Sequence, residues 1–420
     1  MNVRITPQKL SGEVTIPPSK SLAHRAIIAA SLAKGRSVIT NVAYSKDILA
    51  TIDAMKSLGA KIEKFDNYLI INGSYPKRVN NVIDANESGS TLRFMIPISL
   101  LDDNPVEFIG HNKLIDRPLD IYFDIFKKHN IKYIKDPNHY LPLKINGKLE
   151  SGIYELKGNV SSQFITGLLF SLPLLKGDSK IIITTNLESL GYINLTIDIL
   201  KKYGINIIYK DNEFLIPGNQ EYKPFDYEVE GDYSQVAFWL EANMLGNDIK
   251  IKGVNKDSLQ GDKEIIDDII KIGANITFDK NNLVSNIKAF KPLDIDVSQT
   301  PDLGPALTCI LTQVNGVSRL VNASRLRIKE CDRITCVKEE LNKLGCNVSE
   351  TEDSLIISGK TKIQKGIVLS HNDHRLVMAF SILASIADGD VVIENASAVS
   401  KSYPDFFEVY ESVGGIINYE

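Results

Sequence analysis

Cysteine is scarce: four in 420 residues, all after residue 308, and no two in a CxxC pair. That pattern excludes a disulfide frame and a cysteine-based zinc site, and it favours reduced thiols at Cys309, Cys331, Cys336 and Cys346. Long hydrophobic runs are missing too. The longest apolar stretch, near Phe164 to Leu175, is broken by Thr, Gly, Ser and Pro and is too short to span a bilayer. Met1 to Leu10 hold no apolar signal core, so a cytoplasmic, membrane-free chain is expected. No GxGxxG or P-loop occurs, which leaves no signature for a nicotinamide, flavin or nucleotide. A net charge of −4 provides no basic excess for nucleic acid. His371 and His374 have a spacing that suits a metal, yet no third His or Cys stands near them, and no metal is expected.

What is present is repetition. A helix tail, a turn and a strand recur as SLGAKI at Gly59, KHNIKY at Asn130, KYGINI at Gly204, KIGANI at Gly273, KLGCNV at Gly345 and SVGGII at Gly414. The period is about 70 residues, the mark of a repeated supersecondary unit. Gly or Asn at the repeated position is what a left-handed helix C-cap selects. Each of the six units reads as βαβαββ. Its first helix is apolar all round, as in Arg25 to Ala33 or Ser234 to Leu245, and its second is amphipathic, as in Asp47 to Leu58 or Asp262 to Ile272.

At this length one ordinary core is not enough, and three units per domain is the natural division of an α/β chain. Residues 17–224 form the first domain, with the polar run Gly218 to Glu221 as linker. Residues 1–16 plus 225–420 form the second, completed by a single strand from Val3 to Ile16. The chain then crosses between domains twice, and such a double crossing acts as a hinge whose closure completes a site.

Polar clusters fall where the apolar helices begin. In the first, Pro17-Pro18-Ser19-Lys20-Ser21-Leu22-Ala23-His24-Arg25, serines and two cations meet a helix N-terminus, which makes an anion site. Others are Glu87 to Arg93, Asp116-Arg117-Pro118, Val160 to Phe164, Ser189 to Tyr192, Pro301-Asp302-Leu303, Arg325 to Arg333, Asn372 to Arg375 and Ser400-Lys401-Ser402. If the repeats are equivalent, these termini converge on one cleft that holds anions. Taken singly, each has a plainer reading: Ser161 to Gln163 as a cap, Asp302 after a proline as a helix start, Cys331 as a small filler, Arg93 as a tie to nearby carbonyls.

PSKSLAHR (Pro18 to Arg25), VSSQF (Val160 to Phe164), RIKECDR (Arg327 to Arg333), NDHR (Asn372 to Arg375) and SYPDFF (Ser402 to Phe407) together make the chain resemble the 5-enolpyruvylshikimate-3-phosphate synthases, from about residue 4 to about residue 415. The resemblance implies an enolpyruvyl transferase-like, inside-out α/β barrel in two domains of three βαβαββ repeats, with the active site in the interdomain cleft. It implies transfer of the carboxyvinyl group of phosphoenolpyruvate to the 5-hydroxyl of shikimate 3-phosphate, in aromatic amino acid biosynthesis, by a monomer that uses no cofactor and is the target of glyphosate. By this resemblance Ser21, Arg25, Ser161, Ser162, Gln163, Ser189, Tyr192, Asp302, Arg325 and Lys329 bind shikimate 3-phosphate. Lys20, Gly89, Arg117, Gln163, Arg333, Arg375 and Lys401 bind phosphoenolpyruvate, and Lys20, Asp302 and Glu330 are catalytic.

The chemistry fits those residue types. Two substrates that each carry a phosphate and a carboxylate bring roughly five to six negative charges, at about −1.5 to −2 per phosphate. Against them stand Lys20, Arg25, Arg117, Lys329, Arg333, Arg375 and Lys401. The near balance leaves no need for a metal. Two departures stand out: Glu87-Ser88-Gly89-Ser90 replaces the family's Asn-x-Gly-Thr, and Arg325 stands where some members have Asn. A UDP-N-acetylglucosamine 1-carboxyvinyltransferase would share the fold. It usually carries a reactive Cys before the Arg-Pro pair, and His111 to Asp116 has none. A non-catalytic binder of phosphometabolites would have no use for Asp302 and Glu330 among its cations.

Overall fold

The computed structural model describes residues 1–287 and 289–420. At all six repeated turn positions the backbone is left-handed: φ is 97° at Gly59, 55° at Asn130, 82° at Gly204, 129° at Gly273, 81° at Gly345 and 94° at Gly414. Only Gly, or Asn at modest cost, adopts this conformation readily, so each amphipathic helix stops at the same place for the same steric reason.

The chain divides into two compact units, one of residues 20–229 and the other of residues 1–19 with 230–420. In residues 20–229 the helices are α1 (Lys20–Leu32), α2 (Lys46–Ser57), α3 (Gly89–Ser99), α4 (Asp120–Lys128), α5 (Ser162–Ser171) and α6 (Leu190–Lys202). The other unit carries α7 (Tyr233–Met244), α8 (Ile265–Ile272), α9 (Gly304–Leu311), α10 (Arg333–Lys343), α11 (His374–Ala384) and α12 (Phe406–Ser412). The first helix of every repeat is buried on all sides; every residue of α7, α9 and α11 lies in the core. Each Leu or Ile sealed this way contributes about 1.5–3 kcal/mol of transfer free energy. The helices, not the sheets, therefore fill the middle of each unit, the inside-out arrangement expected from apolar-all-round segments.

Each repeat contributes a four-stranded sheet with one parallel and two antiparallel pairings, as in Val82–Asp84 beside Val106–Ile109, followed by Leu143–Asn146 and Lys132–Lys135. The strands at the two crossings are exchanged. Ser11–Thr15, which leads into α1, pairs in parallel with Asp248–Lys252, and Tyr227–Glu228, which leads towards α7, pairs in parallel with Ile39–Thr40. That pairing carries the unit that begins at Lys20 on to Val229, five residues past the boundary expected at Pro224.

Two expectations need correction. The first strand is not single: Val3–Thr6 lies between Val391–Glu394 and Ile416–Tyr419, whereas Ser11–Thr15 belongs to a different sheet. Nor is the run Gly218 to Glu221 a linker. Asn219 N donates to Leu175 O at 2.6 Å, and Gln220 Nε2 donates to Asn206 O at 2.9 Å, so this polar stretch is a turn packed within residues 20–229. Its polarity reflects side chains that bond local backbone, which composition alone does not distinguish from a free linker.

Candidate active site

In the unit of residues 1–19 and 230–420, three helix N-termini supply charged side chains to one network. Asp302 lies in the short 3-10 turn Pro301–Leu303 that leads into α9, where a proline at the first position suits a helix start. Its Oδ1 accepts from Lys329 Nζ at 3.1 Å and Arg333 Nη1 at 2.9 Å, and its Oδ2 accepts from Arg375 Nη2 at 2.8 Å. Arg333 is the first residue of α10, whose N-cap Asp332 accepts from Thr335 N at 3.2 Å. Its guanidinium reaches three carboxylates: Asp302, Glu330 Oε2 at 2.8 Å and Asp373 Oδ2 at 2.7 Å. Asp373 does double duty, because its Oδ1 also caps α11 through Arg375 N at 2.9 Å.

Burial pushes the Asp302 carboxyl up, but Arg375, Lys329 and Arg333 together hold it well below the usual carboxylate range. Asp302 is thus ionised, as a proton acceptor must be. Burial also lowers Lys329, to about 8, despite the nearby Asp302 charge. Burial works against the Arg333 charge as well, yet Asp373, Glu330 and Asp302 outweigh it. Lys401 Nζ donates to Asn372 O at 2.7 Å, which ties it to the loop that carries Asp373 and leads into α11. Arg325 Nη1 reaches Ser298 O at 3.4 Å and adds its charge to the surroundings of Lys329.

Residues 20–229 carry a second polar network at the starts of α1, α2, α3, α5 and α6. Lys20 Nζ donates to Asp47 Oδ2 at 3.0 Å, and Thr91 Oγ1 links the Asp47 carbonyl (3.4 Å) to the capping hydroxyl of Ser88 (2.8 Å). The guanidinium of Arg117 lies over the backbone of Gly89; a Cβ there would stand 2.5 Å from Nη1. Gln163 bridges α5 and α3, since its Nε2 donates to Ser90 Oγ at 2.9 Å and its Oε1 accepts from Arg93 Nη1 at 2.7 Å. Arg25 is buried, and its donors go to Thr196 Oγ1 at 2.9 Å, Ser21 O at 2.7 Å and Tyr192 O at 3.0 Å. Burial lowers Arg25 to about 10. Ser161 caps α5 through Gln163 N at 3.3 Å, with Ser162 beside it, and Ser189 holds a left-handed φ of 55° before α6. The bond from Glu188 N to Gly158 O, 3.2 Å, keeps the two serine loops adjacent.

Within each unit, then, the residues singled out in the sequence cluster at helix starts. Four partners escaped that reading: Asp47, Asp373, Thr196 and Asp262. Asp262, in the 3-10 turn Gly261–Glu264, is buried, accepts from Ser234 Oγ, and is raised to about 6 by burial and by the charge of Asp302. Asp373 was within reach, because it sits inside NDHR next to the arginine chosen as ligand; Asp47 and Asp262 looked like helix-start acids. Among the described residues no cluster of three or more His, Cys, Asp or Glu is arranged to hold a metal.

The sequence profile of EPSP synthase (3-phosphoshikimate 1-carboxyvinyltransferase) matches residues 5–410. The chain belongs to the EPSP synthase family. Members named 3-phosphoshikimate 1-carboxyvinyltransferase include one from Clostridium novyi, 49% identical with 99% of this chain and 98% of that protein covered. Another, from Clostridium perfringens, is 50% identical with 100% and 99% covered. In fold the chain is similar to the solved EPSP synthase of Acinetobacter baumannii, with TM-score 0.80, 23% identity and all of both chains covered. It is likewise similar to the enolpyruvyl transferase NikO of Streptomyces tendae, with TM-score 0.82, 15% identity, and 100% and 98% covered. An EPSP synthase fold thus carries both networks, and the two-domain, repeat-built architecture read from the sequence agrees with these neighbours.

Proposed function

We infer that this chain is a 3-phosphoshikimate 1-carboxyvinyltransferase: it moves the carboxyvinyl group of phosphoenolpyruvate onto the 5-hydroxyl of shikimate 3-phosphate and releases phosphate. The observation that carries the mechanism is Asp302, an ionised carboxylate gripped by Lys329, Arg333 and Arg375. A receptor for anions gains nothing from a carboxylate that competes for its cations. A catalyst that must take a proton beside an anion does.

In this reading Lys329, Arg325, Ser161, Ser162 and Ser189 cradle the 3-phosphate. Arg25, Ser21, Tyr192 and Gln163 contact the rest of that substrate. Lys20, Arg117, Arg333, Arg375, Lys401, Gln163 and the backbone at Gly89 hold phosphoenolpyruvate. As the anions arrive, Lys329, Arg333 and Arg375 turn part of their charge towards them. The proton affinity of Asp302 rises at that moment, which lets it accept the 5-hydroxyl proton. Glu330, which accepts from Arg333 Nη2 at 2.8 Å, delivers a proton to the methylene carbon and later removes one from the resulting methyl group. Lys20 stabilises the departing phosphate. Positioned acid–base groups of this kind contribute about 10²–10⁴-fold each, and charge-assisted hydrogen bonds about 1.5–3 kcal/mol each.

The chain works as a cytoplasmic monomer in this account. No helix among the described residues is long and apolar enough to cross a membrane. The deciding assay mixes the protein with phosphoenolpyruvate and, separately, shikimate 3-phosphate or UDP-N-acetylglucosamine. Inorganic phosphate with the first acceptor only is expected. Release with the second acceptor, or no release with either, refutes the assignment.

A further inference from the structure

Two cysteines bracket the start of helix α10. With Asp332 at the N-cap, Cys331 occupies the position just before the cap and Cys336 the fourth helical position, the pair whose side chains meet in a hydrophobic staple. Here both positions are cysteines, each acts on the other's proton affinity, and each residue keeps 8% of its surface exposed. Cys331 Sγ also donates to Asp373 Oδ2 at 3.7 Å, the oxygen that receives Arg333 Nε. His371, whose Nε2 lies 2.7 Å from Glu340 Oε1, also acts on the Cys336 thiol. None of these four side chains has a part in the reaction above.

The surroundings divide the labour between the two sulfurs. The neighbouring Cys331 and then His371 bring the Cys336 thiol down to about 6, against its own burial and the charge of Asp332, while Cys336 and burial push Cys331 up. Cys336, aided by Glu340, raises His371 to about 9 against its burial. A thiolate–imidazolium pair at the first turn of a helix is the environment of a reactive cysteine, with a protonated thiol ready beside it. Cys309 and Cys346 are the contrast: burial raises the first well above its ordinary value and the second to about 12.

We propose that Cys331 and Cys336 form a peroxide-reactive dithiol site whose closure to a disulfide disarms the Glu330–Arg333 segment. The Cys336 thiolate attacks one oxygen of the peroxide. The S–O bond forms as the O–O bond breaks, and the departing hydroxide takes the His371 proton to leave as water. Cys331 then gives up its proton and attacks the sulfenic sulfur; the S–S bond forms, the S–O bond breaks, and a second water leaves with that proton. The two sulfurs lose two electrons and the peroxide gains them. An S–S bond of about 2.05 Å is far shorter than a thiol–thiol contact, so closure draws the residue before the cap towards the helix. The same step removes the proton that Cys331 offers Asp373, and Glu330 and Arg333 lie on either side of the displaced residues.

The test oxidises the reduced full-length protein with hydrogen peroxide, blocks remaining thiols and maps tryptic peptides by mass. Residues 330–333 and 334–338 fall in separate peptides, and they are expected as one disulfide-linked species that dithiothreitol releases. Phosphate release should fall in parallel by about 10²-fold, the cost of misplacing a positioned group by an ångström, and recover on reduction. Cys336→Ser should keep its basal turnover and resist peroxide, and Cys331→Ser should stop at a sulfenic acid on Cys336 that dimedone captures. No cross-linked peptide, equal inactivation of Cys336→Ser, or a disulfide formed with turnover intact would each overturn the proposal. The cross-link is read by mass, so its presence or absence does not depend on which reaction the chain catalyses.

Discussion

Arg333 Nη1 donates to Asp302 Oδ1 at 2.9 Å, while Nε of the same guanidinium donates to Asp373 at 2.7 Å. One arginine therefore orients the proposed base from the front and is itself held from behind. The Arg333 and Asp373 side chains are 1% and 0% exposed. Asp302 and Glu330 still face the guanidinium once Asp373 is gone, so the loss lies towards the lower end of the about 3–5 kcal/mol of a broken buried ion pair. Asp373→Ala should lose about that much stability in urea unfolding, whereas a paired Arg333→Met, Asp373→Leu variant should lose less while remaining inactive.

Asp302→Asn removes negative charge from among three cations without altering shape. Turnover with both substrates saturating should drop by about 10²–10⁴-fold. The Michaelis constant for shikimate 3-phosphate should stay the same or fall, because Lys329 and the two arginines lose a competitor. A higher Michaelis constant with unchanged turnover would show that Asp302 only positions substrate.

Gly89 leaves room for Arg117. A methyl group at residue 89 would stand 2.5 Å from Nη1 and 2.8 Å from Cζ, so the guanidinium has to move. It is the end of a flexible side chain, and the fold should tolerate the change. Gly89→Ala is expected to melt close to the parent protein but to show a Michaelis constant for phosphoenolpyruvate raised by about tenfold, equivalent to about 1.4 kcal/mol.

Lys329 at about 8 gives a pH signature. Below that value the ammonium is charged and attracts the 3-phosphate; above it the charge is lost. The ratio kcat/KM for shikimate 3-phosphate should therefore decline as pH rises through 8 in the free enzyme, and Lys329→Arg should move that limb to higher pH. A profile flat from pH 7 to pH 9, on either side of about 8, would remove Lys329 from the phosphate cradle.

Glu241 lies buried in α7 beside Cys309, and burial lifts its carboxyl well above the ordinary range. The folded state keeps a proton that the unfolded chain releases above its normal pKa, so stability falls as pH climbs through that window. Glu241→Gln should erase this fall and melt at or above the parent temperature near neutral pH. A large loss of stability would mean that the ionised form is used.

The architecture was legible because its signals are local and repeated. Six Gly or Asn turns at positive φ, and six helices without a polar face, need no tertiary knowledge to recognise. Tyr227–Glu228 was not legible: a two-residue strand carries no period, and its partner Ile39–Thr40 lies far away in sequence. At the proposed site, the positions named from motifs include Lys20, which pairs with Asp47, and Asp302, which pairs with Arg333 and Arg375. Their counter-charges Asp47 and Asp262 were missed because an acid at a helix start has an ordinary explanation as a cap. Whether a carboxylate caps or pairs depends on what the fold brings opposite, and spacing does not contain that.

The proposed addition–elimination route is tested most directly by proton traffic at the methylene carbon. Carboxyvinyl transfer by addition and elimination passes through a methyl group, so turnover in deuterium oxide should leave deuterium in the vinyl methylene of the product, and Glu330→Gln should abolish turnover and labelling together. A product formed at the normal rate with an unlabelled methylene would contradict it.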